Sequence, residues 1–377
     1  MNYELTDEQE LLRRTVRDFA ESRVAPVAEE LDREERFPYD LVSELAELGL
    51  MGIPIPEEYG GAGADTVSYA IAIEELTRID SSVAITVAAH TSLGTMPIYL
   101  FGDDAQKQEW LPSLASGERL AAFGLTEANA GSDAGATRTR AELRDGQWHV
   151  DGSKIFITNA GTDITACVTI TALTADDEIS NIIVPNGTPG YDISAPMRKL
   201  GWHASDTREL SFKDCAVPEG NLLGPRGQGF HQFMQILDGG RISVAAMGVG
   251  LAQGAYDLAF AHAKQREQFG RPIAKFQAVQ FALADMATEI EAGRQLVYRA
   301  AWLKDQGKDF GLAAAQAKLY TGILSNRAAN ASLQIHGGYG FMEEYAISRL
   351  FRDQKILEIG EGTNEVQRMV IAKLLGV

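Results

Sequence analysis

The spacing of hydrophobic residues predicts helices in the first third of the chain. Thr6 with Gln9 three positions later is a capping-box pattern, and apolar residues recur behind it at helical spacing. Helical patterns continue over residues 39–48 and 69–78, and a glycine-rich break separates them. We therefore predict an N-terminal helical domain over residues 1–120.

The pattern changes near residue 120. Runs rich in β-branched residues, such as 164–170 and 181–184, alternate with Asp-Gly, Asn-Gly and Pro-Gly pairs, which are turn signals. Short strands joined by tight turns produce this alternation. We therefore predict a middle β-barrel-like domain over residues 121–225.

Helical spacing returns at Gly229 and persists. Apolar residues line one face of a long helix at Leu283, Met286, Ile290, Val297 and Ala301. A further helix is predicted over residues 313–333, which gives a C-terminal four-helix-bundle domain over residues 226–377 and an α+β fold class. Oligomerisation and ordinary core packing explain small-residue runs such as 247–252 equally well.

One apolar stretch has nearly the length of a membrane span. Residues 81–102 carry no charge unless His90 is protonated. The stretch also contains Thr, Ser, Gly and Pro, so we interpret it as a buried helix broken by a turn and expect no membrane association.

The overall charge excludes one large class of partners. The chain has 34 basic and 52 acidic residues, a net charge of −18. Such a surface repels phosphate backbones, so no nucleic-acid binding is expected. Two cysteines form neither a disulfide framework nor a metal cluster, and no metal is expected. The first ten residues lack a signal-peptide pattern, which predicts a cytoplasmic location.

The sequence EIGEGTNEVQ places one carboxylate, Glu361, between Gly360 and Gly362. Two interpretations are open. The carboxylate is solvated at the end of a helix, or the glycines bring it and its own backbone amide close to a ligand.

Four other segments combine glycine or aromatic residues with polar ones: 123–133, 154–159, 266–277 and 334–341. The first exposes backbone amides and hydroxyls that a phosphate or a flavin carbonyl would need, although a simple turn has the same composition. In the second, strand alternation puts Phe156 and Thr158 on one face, either in the core or against a planar ring.

These segments occur in register with Glu-Gly-Thr, and together they resemble the acyl-CoA dehydrogenase family of flavoproteins over essentially all 377 residues. One signature stretch runs from Gly-Leu-Thr-Glu at residues 124–127 to Gly-Ser-Asp at 131–133. The other runs from Gln334 to Asp353.

The resemblance implies FAD as the cofactor and assigns its contacts. The flavin ring would be bound by Phe123, Leu125, Thr126, Gly131, Ser132, Phe156 and Thr158. The FAD of a neighbouring subunit would be reached by Arg266, Gln268, Phe269, Gln277, Gln334, Gly337 and Gly338. Further FAD contacts would come from Thr363 and Glu365, and substrate contacts from Ser132, Asp238, Arg241 and Gly362.

The resemblance also implies a reaction. Glu361 would remove the proton α to the thioester of an acyl-CoA while a hydride leaves the β-carbon for flavin N5. The implied partners are acyl-CoA and electron-transfer flavoprotein, and the implied assembly is a homotetramer. We expect short, medium or branched acyl chains, approached by Ser92, Leu93, Thr95 and Met96.

Two alternatives use the same scaffold. One is an acyl-CoA oxidase or a desaturase of acyl chains tethered to a carrier protein. The other is a non-catalytic flavin-binding homologue with a structural or DNA-associated role, against which Glu361 and the negative charge argue.

Three positions depart from the family pattern. Some branches carry the base directly before an Arg in the C-terminal domain, where this chain has Gly240 before Arg241. Most members have Tyr where this chain has Gly360, which leaves the substrate size open. The family's usual Arg within residues 199–207 corresponds to His203, a packed or a surface imidazole.

Overall fold

The computed structural model describes residues 4–377. Its N-terminal part is helical, as predicted, with helices α1 Asp7–Phe19, α2 Ala28–Glu34, α3 Tyr39–Glu47, α4 Thr66–Ile79, α5 Ser81–Ala89, α6 Met96–Phe101 and α7 Asp104–Ala115. The capping box at the start of α1 is present, because the Gln9 N–H donates to Thr6 Oγ1 at 3.2 Å and the Thr6 N–H donates to Gln9 Oε1 at 3.1 Å.

The prediction of a turn within residues 81–102 is wrong. Helix α5 passes into a π-helical segment, His90–Thr95, which continues directly into α6. The first strand of the sheet approaches this segment closely. A Cβ on Gly94 would overlap the backbone of Ala121, because it would stand 2.6 Å from the Ala121 carbonyl carbon. This small residue therefore lets a helix and a strand pack backbone to backbone.

Two helical stretches of the described chain, Ser81–Phe101 and Gly229–Gln265, are long and apolar enough to cross a membrane. In their most apolar windows, 83% and 67% of the residues are buried inside the protein. Core helices have the same composition and burial, so these stretches are accounted for by packing.

The middle part is a sheet, with strands β1 Leu120–Gly124, β2 Arg140–Arg144, β3 Gln147–Thr158, β4 Thr165–Ala175, β5 Glu178–Pro185, β6 Tyr191–Ile193, β7 Thr207–Pro218 and β8 Leu222–Leu223. The strand order is β6-β7-β3-β2-β4-β5-β8, and β1 pairs in parallel with β4. Trp148, Val168, Ile182 and Phe212 belong to one buried cluster, so the strands enclose a core of their own.

The C-terminal part has helices α8 Gly229–Gln265, α9 Gln277–Asp305, α10 Gly311–His336, α11 Ala346–Asp353 and α12 Asn364–Leu375. A two-stranded hairpin, β9 Glu267–Gln268 with β10 Arg271–Pro272, separates α8 from α9. Helices α8, α9 and α10 pack against one another, and α12 packs on α10.

Small residues on α8 allow close helix contacts within the chain. A Cβ on Gly250 would overlap the Glu74 carbonyl of α4, and a Cβ on Gly248 would lie 2.8 Å from the Thr321 carbonyl oxygen of α10. Core packing therefore explains residues 247–252. The two helical parts share one large hydrophobic cluster, in which α4 and α10 both pack on α8, and the segment Gln354–Glu358 before α12 contacts α8 and α10.

Candidate active site

Glu361 lies in a loop between a 3₁₀ turn, Gln354–Glu358, and helix α12. Its φ is +52° and that of Gly362 is +94°, so both adopt left-handed backbone. The backbone of Gly362 favours glycine, because a side chain would be strained at this φ. At Gly360 a side chain is tolerated, since a Cβ there would meet Ile356 O at an ordinary 3.4 Å. The loop therefore turns sharply at Glu361 itself.

The Glu361 side chain points inward. Its Oε2 is buried and accepts no hydrogen bond from any residue among 4–377. Its backbone N–H likewise donates to no acceptor within the described chain. One residue thus presents an unused carboxylate oxygen and an unused amide, and the solvated-cap interpretation is wrong.

Burial raises the pKa of the Glu361 carboxyl to about 7, against the opposing effect of the nearby cations Lys318 and Arg241. A carboxyl in this range can accept a proton near neutral pH and is a stronger base than a solvated one. A carboxyl with this position and this raised pKa has the properties that a general base requires.

Gly240 of α8 lies directly against this carboxylate. A Cβ on Gly240 would overlap Glu361 Oε2 and stand 3.0 Å from its carboxyl carbon. The two positions at which the family resemblance places a base are therefore adjacent in space. Here a glycine at one leaves room for the carboxylate from the other.

Asp238 and Arg241 lie on the same helix and form an ion pair, with Nη1 of Arg241 at 2.5 Å from Oδ1 of Asp238. The Arg241 side chain is 2% exposed, and its Nε has no hydrogen-bond partner in the part of the chain that the structure describes. Of the expected substrate contacts, Arg241 and Gly362 thus lie close to Glu361 and Asp238 is paired with Arg241, whereas Ser132 is exposed on the loop after β1.

The loop expected to bind the flavin ring is held from below by a buried ion pair. Lys154 Nζ of β3 lies 2.7 Å from Glu127 Oε1, and Glu127 also accepts from the backbone N–H groups of Arg138 and Thr139. Burial opposes ionisation, but Lys154 holds the pKa of Glu127 at about 2. Thr126 is fixed by its carbonyl, which accepts from the Ile155 N–H at 2.8 Å.

Phe156 follows Ile155 and is displayed rather than buried. Its φ is +64°, its side chain is 61% exposed, and the pairing of β3 with β7 is irregular between Lys154 and Ile157. The core interpretation of Phe156 is therefore wrong, whereas the buried Ile157 between Phe156 and Thr158 agrees with the predicted alternation. Thr158 is half-buried at the end of β3. A strained, exposed aromatic beside the Thr126 loop fits a planar ring ligand.

The remaining loop positions divide between core and surface. Phe123 is buried and stacks with Phe233 of α8, their ring centroids 6.3 Å apart. Leu125 packs against the same cluster, and Gly131 is exposed. Phe123 therefore supports the loop from within the core.

The residues expected to reach a neighbouring FAD gather at the far end of the C-terminal helices. Exposed positions are Gln268, Phe269, Gln277, Gln334, Gly337 and Gly338. Arg266 ends α8 and lies over the Tyr339 ring, 5.3 Å from its centroid. Lys318, which bonds to the carbonyl of Gly362 next to Glu361, and Gln334 are sixteen residues apart on α10, about 24 Å along a helix axis. This surface is therefore separate from Glu361.

Thr363 and Glu365 begin helix α12. Thr363 is its N-cap, and its Oγ1 accepts from the Val366 N–H at 3.2 Å. Glu365 is exposed in the first turn. The Thr363 hydroxyl can still donate a hydrogen bond to a ligand.

His203 is a packed residue. Its Nδ1 lies 3.1 Å from Oδ1 of Asp32 on α2, and its Nε2 is 2.9 Å from the Lys199 carbonyl. Arg352 of α11 pairs with the same Asp32. His203 therefore joins the loop before β7 to the N-terminal helices.

Sequence reasoning missed the two buried lysines, Lys154 and Lys318. Lys318 is the one charged residue within residues 310–326, and an isolated charge on so apolar a helix was the available signal. Within the described residues, no cluster of three or more His, Cys, Asp or Glu side chains could hold a metal ion.

Comparison with known families defines the class of protein. Models of the acyl-CoA dehydrogenase N-terminal, middle and C-terminal domains match residues 6–118, 122–215 and 227–376. The chain belongs to the acyl-CoA dehydrogenase family.

Individual relatives extend over the whole chain. A probable acyl-CoA dehydrogenase of Bacillus subtilis, YngJ, is 51% identical, with 100% of both chains covered. Butyryl-CoA dehydrogenase from Megasphaera elsdenii superposes with a TM-score of 0.97 at 44% identity, again with 100% of both chains covered.

Two further solved structures bear on cofactor and partner. A chain from a structure of the electron transferring flavoprotein of Acidaminococcus fermentans has a TM-score of 0.98 and 44% identity, with 100% of both chains covered. An acyl-CoA dehydrogenase from Bacillus anthracis complexed with FAD has a TM-score of 0.94 and 35% identity, covering 99% of this chain and 67% of that one.

Proposed function

We propose that this protein is an FAD-dependent dehydrogenase that converts a saturated acyl-CoA into the trans-2-enoyl-CoA, with Glu361 as the base. The observation that carries this proposal is the Glu361 carboxylate, whose buried Oε2 meets no hydrogen-bond donor among residues 4–377 and whose pKa is about 7. A solvated or ion-paired carboxylate would be too weak a base for a thioester α-proton.

The same residue can also polarise the substrate. Its backbone N–H is unused in the described chain, and an N–H aimed at the thioester oxygen stabilises the negative charge that develops there when the α-proton leaves. Glu361 would accept the proton on Oε2. The left-handed backbone at Glu361 and Gly362 lets the amide and the carboxylate of one residue face one ligand.

The cofactor is FAD, which when bound supplies the acceptor for the β-hydride. Phe156 offers an exposed ring for its flavin, and the Thr126 loop, supported by the Lys154–Glu127 pair, offers hydrogen-bonding groups at a fixed position. The relative from Bacillus anthracis that was solved with FAD supports this assignment.

Anaerobic mixing of the FAD-loaded protein with butyryl-CoA tests the proposal. The flavin absorbance should bleach as the enoyl-CoA forms. In the Glu361→Gln variant this bleaching should be lost. Glu358→Gln is its matched control, because Glu358 is another carboxylate of the same segment and pairs with Lys355. If no acyl-CoA in a panel from butyryl to palmitoyl bleaches the flavin, the proposed activity is wrong.

The preferred substrates are short, medium or branched acyl chains. Gly360 contributes no side chain beside the base, and a Cβ there would have only ordinary contacts, 3.4 Å and 3.8 Å, with Ile356. Leu93 packs with the Phe123 cluster, but the hydroxyls of Ser92 and Thr95 are buried in contacts of their own with Ala88 and His90. A highest kcat/KM on palmitoyl-CoA would contradict this preference.

Electron-transfer flavoprotein is the proposed acceptor of electrons from the reduced enzyme. The similarity to a chain from the Acidaminococcus fermentans structure supports it. Reoxidation of the substrate-reduced enzyme should be fast with electron-transfer flavoprotein and slow with oxygen. Fast reoxidation by oxygen would favour the oxidase alternative.

The proposed assembly is a homotetramer in which FAD spans a subunit boundary. Phe269 and Phe341, 93% and 80% exposed, lie near Arg266 at the far end of the C-terminal helices and would be covered by a second copy. Arg266→Ala should lower FAD retention and loosen the oligomer, while Lys264→Ala, two positions earlier, should do neither. A monomeric variant that retained full FAD would contradict the shared site.

A further inference from the structure

Lys318 is a buried lysine beside the candidate base. It lies on α10 with 0% of its surface exposed, and its Nζ donates to the Gly362 carbonyl oxygen at 2.7 Å. A buried ammonium is costly unless it makes strong interactions, and a charge-assisted hydrogen bond to a carbonyl is one of them.

The face of α10 that carries Lys318 supports the whole segment before α12. One turn further along, a Cβ on Gly322 would lie 2.9 Å from the Leu357 carbonyl oxygen, so only a glycine lets the segment approach this closely. One more turn on, Asn326 donates to Gln354 Oε1 at 3.1 Å. Three positions on one helix face thus contact residues 354–362.

The segment needs this support at Glu361. A left-handed backbone is unfavourable for a residue with a side chain, and it persists only where the surroundings restrain it. Two groups restrain it here. Gln367 Nε2 lies 3.2 Å from the Glu361 carbonyl oxygen and 3.0 Å from that of Gly362, and Lys318 holds the Gly362 carbonyl from the opposite helix.

We propose that Lys318 is a positioning residue for the base: its ammonium clamps the Gly362 carbonyl and so keeps the Glu361 carboxylate in its left-handed loop against Gly240. This inference rests on the proposed function, because it concerns the same proton transfer. Lys318 does not touch the substrate in this account. It acts through the backbone of the residue that follows the base.

The charges around Lys318 and Glu361 decide the expected pH dependence of the reaction rate. The groups that face them from the neighbouring elements are Tyr69, Asp238, Arg241, Glu358 and Glu365. Burial lowers the pKa of Lys318 to about 8, and the Lys318 charge lowers the pKa of Glu361 against the effect of burial. Without that cation the base must become harder to ionise, since Arg241 is already paired with Asp238.

Lys318→Met tests the clamp, because methionine keeps an unbranched chain but removes the ammonium. Flavin reduction by butyryl-CoA should slow by about 10- to 100-fold, as expected when a reacting group is misplaced by up to an ångström. Acyl-CoA affinity should change less than about threefold, since the clamp does not touch the ligand. The pH at which the reduction rate reaches half its maximum should rise.

A second readout does not depend on turnover. Hydrogen exchange at the amides of residues 359–363 should accelerate in Lys318→Met, because the loop loses one of its two restraints. Lys199→Met is the matched control: Lys199 is another largely buried lysine bonded to a carbonyl, that of Ser205, and it belongs to the loop before β7. This control should leave the exchange, the rate and its pH dependence unchanged.

Two results would overturn the clamp. One is an unchanged rate and pH profile in Lys318→Met. The other is a loss matched by Lys199→Met, with the pH profile unmoved, which would assign Lys318 a general stabilising role. If Lys318→Met does not fold, Lys318→Gln is used with the same criteria. The glutamine side chain is shorter than that of lysine, so its amide cannot reach the Gly362 carbonyl oxygen to which Lys318 Nζ donates at 2.7 Å. A fully active Glu361→Gln variant would refute the proposed function instead, and the exchange measurement would still test the clamp.

Discussion

Replacement of Gly240 by alanine should disable the base without unfolding the protein. The new Cβ would stand 3.0 Å from the Glu361 carboxyl carbon, where non-bonded carbons prefer about 3.5–4.0 Å. It would also overlap Oε2, so the carboxylate must move by about 1 Å. A shift of this size can reduce a rate by about 10²-fold, which corresponds to about 2.7 kcal/mol in the activation free energy.

Folding should survive because the clash involves the end of a flexible side chain and not a backbone. Gly239→Ala is the matched control: its Cβ would meet only Lys304 Nζ, at 3.5 Å, within the described structure. Alanine should stabilise this half-buried helix position by about 0.5–1 kcal/mol relative to glycine, because its Cβ meets no clash. Stopped-flow flavin reduction and thermal unfolding measure both effects. If Gly240→Ala reduces its flavin as fast as Gly239→Ala, the carboxylate does not act from the position described.

Three further predictions concern charge and cofactor. The pKa of Glu361 is raised from 4.5 to about 7 in the folded state, so its ionisation destabilises the fold as pH rises through that window. The melting temperature of Glu361→Gln relative to wild type should therefore increase from pH 5 to pH 8. A constant difference would contradict the raised pKa. Lys154→Met should cost about 3–5 kcal/mol in urea unfolding, because it leaves the Glu127 charge buried and unpaired, and adding Glu127→Gln should recover part of that loss. Phe156→Ala should lower the FAD-to-protein absorbance ratio while changing stability by less than about 0.5 kcal/mol, since the side chain is 61% exposed; full FAD retention would remove Phe156 from the site.

Periodicity predicted most of the architecture because it reports which face of each element is buried. The capping box at Thr6, the change to strands at Leu120 and the return to helix at Gly229 all follow from local patterns. The π-helical segment His90–Thr95 could not be predicted this way. It coincides with the approach of Ala121 to Gly94, a contact between distant parts of the chain that local patterns do not contain.

The candidate site was only partly readable for the same reason. The motif indicated Glu361, but its use as a base depends on burial and on the space at Gly240, which lies 121 residues earlier in the chain. The bulge beside Phe156 and its left-handed backbone could not be predicted either, because strand alternation assumes a regular ladder. Lys318 was overlooked because its burial results from the packing of α10 against the loop that contains Glu361, which the local sequence does not show.

The central claim is that Glu361 is the base, and Glu361→Gln tests it most directly. Glutamine keeps the size of the side chain but removes its negative charge and its basic oxygen. FAD content and butyryl-CoA binding should be retained, because neither requires a base. The rate of anaerobic flavin reduction by butyryl-CoA should fall by more than about 10⁴-fold, beyond the usual effect of one general base, since no other carboxylate of residues 4–377 takes its place at Gly240. Rapid bleaching of the flavin in this variant, at a rate near that of Glu358→Gln, would show that Glu361 is not the base.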